Sequence, residues 1–256
     1  MHTPRRLRHG EEATLVEHLS ELRSRLIVAL LAIAAGTAAA YVEHGRLVAA
    51  LAHALPAEHR KLVTFGVAEP FLTSMWISLY AGLILASPLV LHQLWAFLAP
   101  ALDERTQRVV AALTGLAAAL GAAGLVFGYL VVLPAGVRYL TNYDKNIYDI
   151  HVRAKDYLSF SSTVLIAVVV VFELPVVVLG LNRIGLLSAS QLRRNRRIGY
   201  AAMAVLAVCL PGVDPLTTTL EMLPLLALYE GAIWLSVLLE RRLGHTRAVF
   251  QPGGEW

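Results

Sequence analysis

A single cysteine, Cys209, stands in 256 residues, so the chain forms no internal disulfide. Nine histidines are scattered along it, and no Cys/His set has the spacing of a zinc site. No glycine-rich phosphate loop with its lysine is present, which excludes nucleotide hydrolysis by the chain itself. Charged residues are scarce, at 16%, and four stretches hold none: 26–42, 70–102, 109–137 and 198–213. Two further apolar runs, 157–182 and 215–239, carry charge only as isolated glutamates. A bilayer core ~30 Å thick needs about 20 such residues per helical span. These runs therefore predict an all-α polytopic membrane protein with spans at about 26–42, 71–97, 109–134, 157–182, 198–213 and 218–239. One membrane domain is expected over 14–242, with a flexible tail at 1–13 and a second tail at 243–256.

The high pI, 9.4, does not point to nucleic acid, because the basic residues collect at the ends of apolar runs. With six spans, fifteen arginines fall on the side of both termini. Seven basic residues (Arg46, Arg60, Lys61, Arg138, Lys145, Arg153 and Lys155) fall on the other. The excess places both termini in the cytoplasm and makes anionic lipid the expected surface partner. A cleaved leader ending near Ala38-Ala39-Ala40 fits poorly, since Glu11, Glu12, Glu17 and Glu21 precede the first apolar run.

Before span one, Thr14 and Glu17 read as a capping box. Leu15, Leu19, Leu22 and Leu26 then recur at helical spacing, predicting a short amphipathic helix at the cytoplasmic interface. Glu21 and Arg25, four residues apart, share one face of it. A second amphipathic stretch is expected near 47–55. Span two closes on Trp95-Ala96-Phe97, read as an interfacial aromatic anchor, and Pro100 stops it. Gly121, Gly124 and Gly128 line one face of span three, where a neighbouring helix can approach closely. Span three is expected to end near Pro134. Spans five and six look short, the former at 16 residues or ~24 Å, and would thin the bilayer beside them.

A few polar groups survive inside these runs. Glu173 lies ten residues before Arg183, ~15 Å along a helix, where a charge costs ~2.5–3.5 kcal/mol or more. Pro175 removes the helical donor to the carbonyl of Val171, so a wet, polar notch is expected there. Glu230 is another intramembrane carboxylate. Gln93 and Tyr129 are polar groups expected inside or near the cytoplasmic halves of their spans. Asp214 sits at the turn between spans five and six. No internal repeat and no matched pair of broken helices is visible, which weighs against an alternating-access transporter. A proton-coupled secondary transporter using Glu173 nonetheless remains the alternative from another class, and a purely structural scaffold a third. A transporter would move a small solute alone in liposomes; a translocase subunit would do nothing without partners and cargo.

Taken in order, several fragments resemble one family over about residues 15–240, the C subunit of the twin-arginine protein translocase (TatC). They are His18-Leu-Ser-Glu-Leu-Arg-Ser-Arg-Leu26, Glu69-Pro-Phe71, Gln93-Leu-Trp-Ala-Phe97, Pro100-Ala-Leu102, Phe127-Gly-Tyr129 with Pro134, and Tyr157-Leu-Ser-Phe160. Phe172-Glu-Leu-Pro175, Asp214, Pro224 and Leu228-Tyr-Glu230 complete the set. The resemblance implies six helices in a concave, glove-like receptor of the bacterial cytoplasmic (inner) membrane. It implies no catalytic residue, cofactor or metal. It implies binding of the twin-arginine signal peptides of folded cargo, and recruitment of single-span TatA- and TatB-type partners into a multi-subunit complex driven by the proton-motive force. Glu21, Arg23, Gln93 and Phe97 then fall in the signal-binding patch. The family's loop glutamate falls on Thr106, with Asp103 and Glu104 just before it as the candidate acids. Glu173 matches the buried glutamate of the concave side and Tyr129 the polar residue of span three; Pro175 lies in the same motif as Glu173, and Glu230 in the separate Leu228-Tyr-Glu230 fragment of span six, as further intramembrane polar or partner-contact candidates.

Overall fold

The structure, a computed structural model, describes residues 15–98, 105–148, 150–183, 186–210 and 215–243. Ten α-helices follow one another there: α1 (Leu15–Val42), α2 (His44–His53), α3 (Glu69–Leu98), α4 (Arg105–Phe127) and α5 (Leu133–Asn142). After them come α6 (Ala154–Phe172), α7 (Leu174–Arg183), α8 (Ala189–Arg194), α9 (Arg196–Cys209) and α10 (Pro215–Leu243). Five segments are long and apolar enough to cross a bilayer: His18–Val42, Glu69–Phe97, Val110–Asn142, Ala154–Arg183 and Thr217–Leu238. Apolar composition makes these helices, because each internal backbone donor is satisfied within its own segment.

Several expected boundaries move. The interfacial helix before span one is not separate: α1 runs unbroken for 28 residues, ~42 Å at 1.5 Å per residue. Leu19, Leu22 and Leu26 stay exposed along it. Span three does not end at Pro134. A π-helical turn, Gly128–Val132, joins α4 to α5, and Pro134 sits in the first turn of α5. A proline lacks the N–H that an internal helical position would use, so the first turn of a restarted helix accepts it. Of the two short spans, only one is short as a helix: α9 has 14 residues, whereas α10 has 29 and carries Pro224 within it.

The bundle is built on close approach. Glycines face each other where α1 meets α3: a Cβ on Gly82 would lie 2.5 Å from the Thr37 backbone nitrogen. With no side chain on Gly36 or Gly82, the two backbones approach closely. Gly82→Ala is therefore expected to force α1 off α3 and cost about 1–3 kcal/mol. Lowered melting temperature of the purified protein in detergent checks this, against Gly115→Ala, whose added Cβ would meet open space. The predicted glycine face of span three is present as well. Gly121, Gly124 and Gly128 meet Glu173, Phe172 and Leu165/Val168 of the broken fourth span.

At the end opposite the arginine-rich one, α2 lies over a core of Leu51, Leu55, Ile77, Leu133, Val137 and Leu158. Two phenols pin it there: Tyr157 donates to the carbonyl of Leu51 at 2.7 Å and Tyr129 to that of Ala50 at 2.9 Å. The segments before α3 and α6 are stitched together beside it. Val63 N donates to Val152 O, Ala154 N to Val63 O, and the Arg153 guanidinium grips both oxygens of buried Glu69 at 2.9 and 3.0 Å. The Phe65 ring covers the same guanidinium, 5.5 Å from its centroid. This clamp fixes the far end of the bundle and leaves the arginine-rich end to carry the site.

Candidate functional site

At the arginine-rich end, the first turns of α1 meet the last turns of α3. His18, Glu21 and Arg25 are spaced three and four apart, so they share one face of α1; Gln93 and Phe97 share one face of α3. The two faces touch. The His18 ring stacks on Phe97, with centroids 4.4 Å apart and planes 20° apart. Arg25 donates from Nε and Nη2 to Oε1 of Glu21, at 2.9 and 2.5 Å, and from Nη1 to Oε1 of Gln93 at 3.5 Å. The Glu21 and Arg25 side chains keep 30% and 26% of their surface. Arg23 is exposed on the same turn. The structure thus brings together Glu21, Gln93 and Phe97 from two helices far apart in sequence, through Arg25 and His18; Arg23, two positions from both Glu21 and Arg25, faces away from them. Asp103 and Glu104 lie outside the described residues, as does Asp214.

Such a patch suits a guanidinium. A half-desolvated carboxylate pairs with an arginine fork more strongly than a fully hydrated one does, and an amide oxygen next to it takes a further N–H. The aromatic Phe97 offers an apolar face to the chain that carries the arginine. Arg25 and His18 complete the patch. The Glu21–Arg25 spacing announces the first; nothing local in the sequence announces the stacking of His18 on a residue 79 positions away.

Glu173 occupies another place. It breaks the fourth span between α6 and α7, and its N–H donates to the carbonyls of Val169 and Val170. Its side chain is turned into the bundle, 5% exposed, against Gly121. A Cβ on that glycine would come within 2.9 Å of Oε1. Neither carboxyl oxygen has a hydrogen-bond partner among the described residues. Pro175 is buried in the opening turn of α7, and the glutamate beside it is enclosed by the bundle.

Two other expectations change. Tyr129 is not in the half of its span nearer the arginine-rich end. Its position in the π-helical turn, more than 20 residues beyond the start of α4, carries it to the opposite end, where it holds α2. Glu230 is satisfied within the chain: its Oε2 lies 3.1 Å from Arg196 Nη2, and Tyr200 donates to its Oε1. The register of α9 against α10 makes that pair, which puts Glu230 at the arginine-rich end, level with the start of α9. Trp95, expected as an interfacial anchor, is 3% exposed. It fills the space over Gly180, a residue with no side chain to obstruct the ring.

A family model described as Sec-independent protein translocase protein (TatC) matches residues 17–224. The chain belongs to the TatC family. The matched range takes in Glu21, Gln93, Phe97, Tyr129 and Glu173, and stops short of Glu230. Over 228 residues the chain is 34% identical to the TatC of Carboxydothermus hydrogenoformans, covering 89% of this chain and 94% of that one. It is 30% identical over 232 residues to the chloroplastic TATC of Arabidopsis thaliana, covering 90% and 66%. A crystal structure described as twin arginine translocase receptor TatC superposes with a TM-score of 0.74 at 30% identity, over 86% of this chain and 99% of that one. This TatC chain is accordingly a multi-pass membrane component of a Sec-independent protein translocase, acting as a subunit of a complex.

Proposed function

We propose that this chain is the signal-peptide receptor and core subunit of a twin-arginine translocase in a bacterial cytoplasmic membrane. It binds twin-arginine signal peptides of folded cargo at the α1–α3 patch and recruits TatA- and TatB-type single-span partners, with the proton-motive force driving export. The observation that carries the reading is Glu21, half-buried beside Gln93 and Phe97 and holding a guanidinium through its Oε1. An acid so placed amid an arginine-rich surface selects for donors able to match its geometry. Expression of the chain with its single-span partners, in a bacterium lacking its own C subunit, tests this. Export of a folded reporter with a twin-arginine signal is expected, together with its loss when both signal arginines become lysine. Equal export of the two reporters would contradict it.

The proposed arrangement has six spans with both termini inside, α9 being the fifth. It rests on the fifteen-to-seven distribution of basic residues; α9, 14 residues long or ~21 Å, crosses on this reading where the bilayer is locally thinned. Topology reporters fused after residues 55 and 150 are expected to read outside, and those at 104, 190 and 245 inside. A C-terminus outside would mean that α9 does not cross.

A further inference from the structure

The carboxylate assigned to the cargo arginine already holds an arginine of this chain. Arg25 is the source of every guanidinium contact that Glu21 makes among the described residues, and it also reaches Gln93. Arg23 cannot substitute, because positions two apart on a helix face different ways. We propose that Arg25 is an internal competitor for the cargo arginine. It occupies Glu21 and Gln93 in the empty receptor, is displaced when a signal binds, and so sets how tightly the receptor holds that signal. This rests on the reading of Glu21 as the cargo-arginine site.

Arg25 in place denies an incoming arginine the full two-oxygen grip on Glu21. Both Arg25 bonds converge on Oε1, whereas an incoming fork pairs best across both carboxylate oxygens. Arg25 sits on an exposed helix turn at the end of a flexible stem, with 26% of its side chain open to solvent, so it has somewhere to go. The consequence is quantitative. If only a fraction of receptors has Glu21 vacant, the apparent dissociation constant exceeds the intrinsic one by the inverse of that fraction. A partly exposed i,i+4 pair is of a strength that makes this factor about two to five. Signals that offer a poor match then fail to displace Arg25 at working concentrations, while a good twin-arginine signal succeeds.

The test measures binding of a fluorescent synthetic twin-arginine signal peptide to the full chain in lipid nanodiscs, for the wild type, R25Q, R25K and E21Q. Size-exclusion profiles confirm that each variant is intact. R25Q is expected to bind about two- to five-fold more tightly. R25K, which keeps the charge but loses the fork, is expected between R25Q and the wild type. E21Q is expected to bind much more weakly. Tightening in R25Q with none in R25K would mean that net charge alone matters, and would overturn the inference. Weaker binding in R25Q would overturn it too, by making Arg25 part of the cargo site. Unchanged binding in E21Q, or no binding by any of the four, would overturn the reading of Glu21 beneath it.

Discussion

Glu21→Lys is expected to abolish capture of a twin-arginine signal at the cytoplasmic face. Glu21 is the acid of the patch where α1 meets α3, tied to Gln93 through Arg25, and its side chain is 30% exposed. Charge-assisted hydrogen bonds of this kind contribute about 1.5–3 kcal/mol each. Their loss alone lowers affinity roughly 10- to 150-fold. A lysine goes further, since it repels both the signal and Arg25 one turn away. Glu21→Gln separates the two effects: it keeps an acceptor, loses the charge, and should fall between the wild type and the lysine variant. The same reversal at Glu104, outside the described residues, is expected to be as damaging, and a change at Asp103 alone less so. Site-directed crosslinking of a signal peptide measures all four. Intact crosslinking in both charge reversals would remove the patch from the mechanism.

The second large effect is expected at Glu173. Two carboxyl oxygens without a partner, 5% exposed and deep in a span, are a costly feature. A donor from outside the chain relieves that cost, and the proposed source is a polar side chain on a partner's single helix. Glu173→Gln keeps a polar group of similar shape and should preserve substantial export. Glu173→Ala should leave insertion and signal crosslinking intact while impairing partner co-purification or export. Gly121→Ala is expected to resemble it, because the new methyl would press on Oε1 from 2.9 Å and turn the carboxyl away. Wild-type export from the alanine variant would make Glu173 structural only. A dead glutamine variant would indicate obligatory proton transfer, the transporter-like alternative.

Much of this was legible in the chain itself. Charge-free runs set the fold class, an all-α membrane protein, because hydrocarbon tolerates little else. The glycine face of span three was readable because three and four residue spacings fix a helix face whatever packs on it. Helix ends were less readable. The π-helical turn that carries the chain past Pro134, and the continuation of α1 through its amphipathic start, depend on neighbours rather than on local propensity. The place of Tyr129 and the partners of Glu230 were missed for a related reason. Sequence gives a polar residue's depth along its own helix but not the partner waiting there: Ala50 O for one, Arg196 and Tyr200 for the other. Gln93 and Phe97 came from the family motif; their contact with Arg25 and His18 required the α1–α3 crossing, made close by Gly36 and Gly82.

The most direct measurement replaces Phe97 with benzoylphenylalanine, aromatic for aromatic, and illuminates the full chain with a twin-arginine signal peptide. Phe97 lies on the same α3 face as Gln93, one turn further along, beside the Glu21 patch. A crosslink to residues flanking the paired arginines, lost with a twin-lysine peptide and with Glu21→Lys, is the predicted result. Equal crosslinking of the arginine and lysine peptides, or a crosslink insensitive to Glu21→Lys, would contradict recognition at this patch.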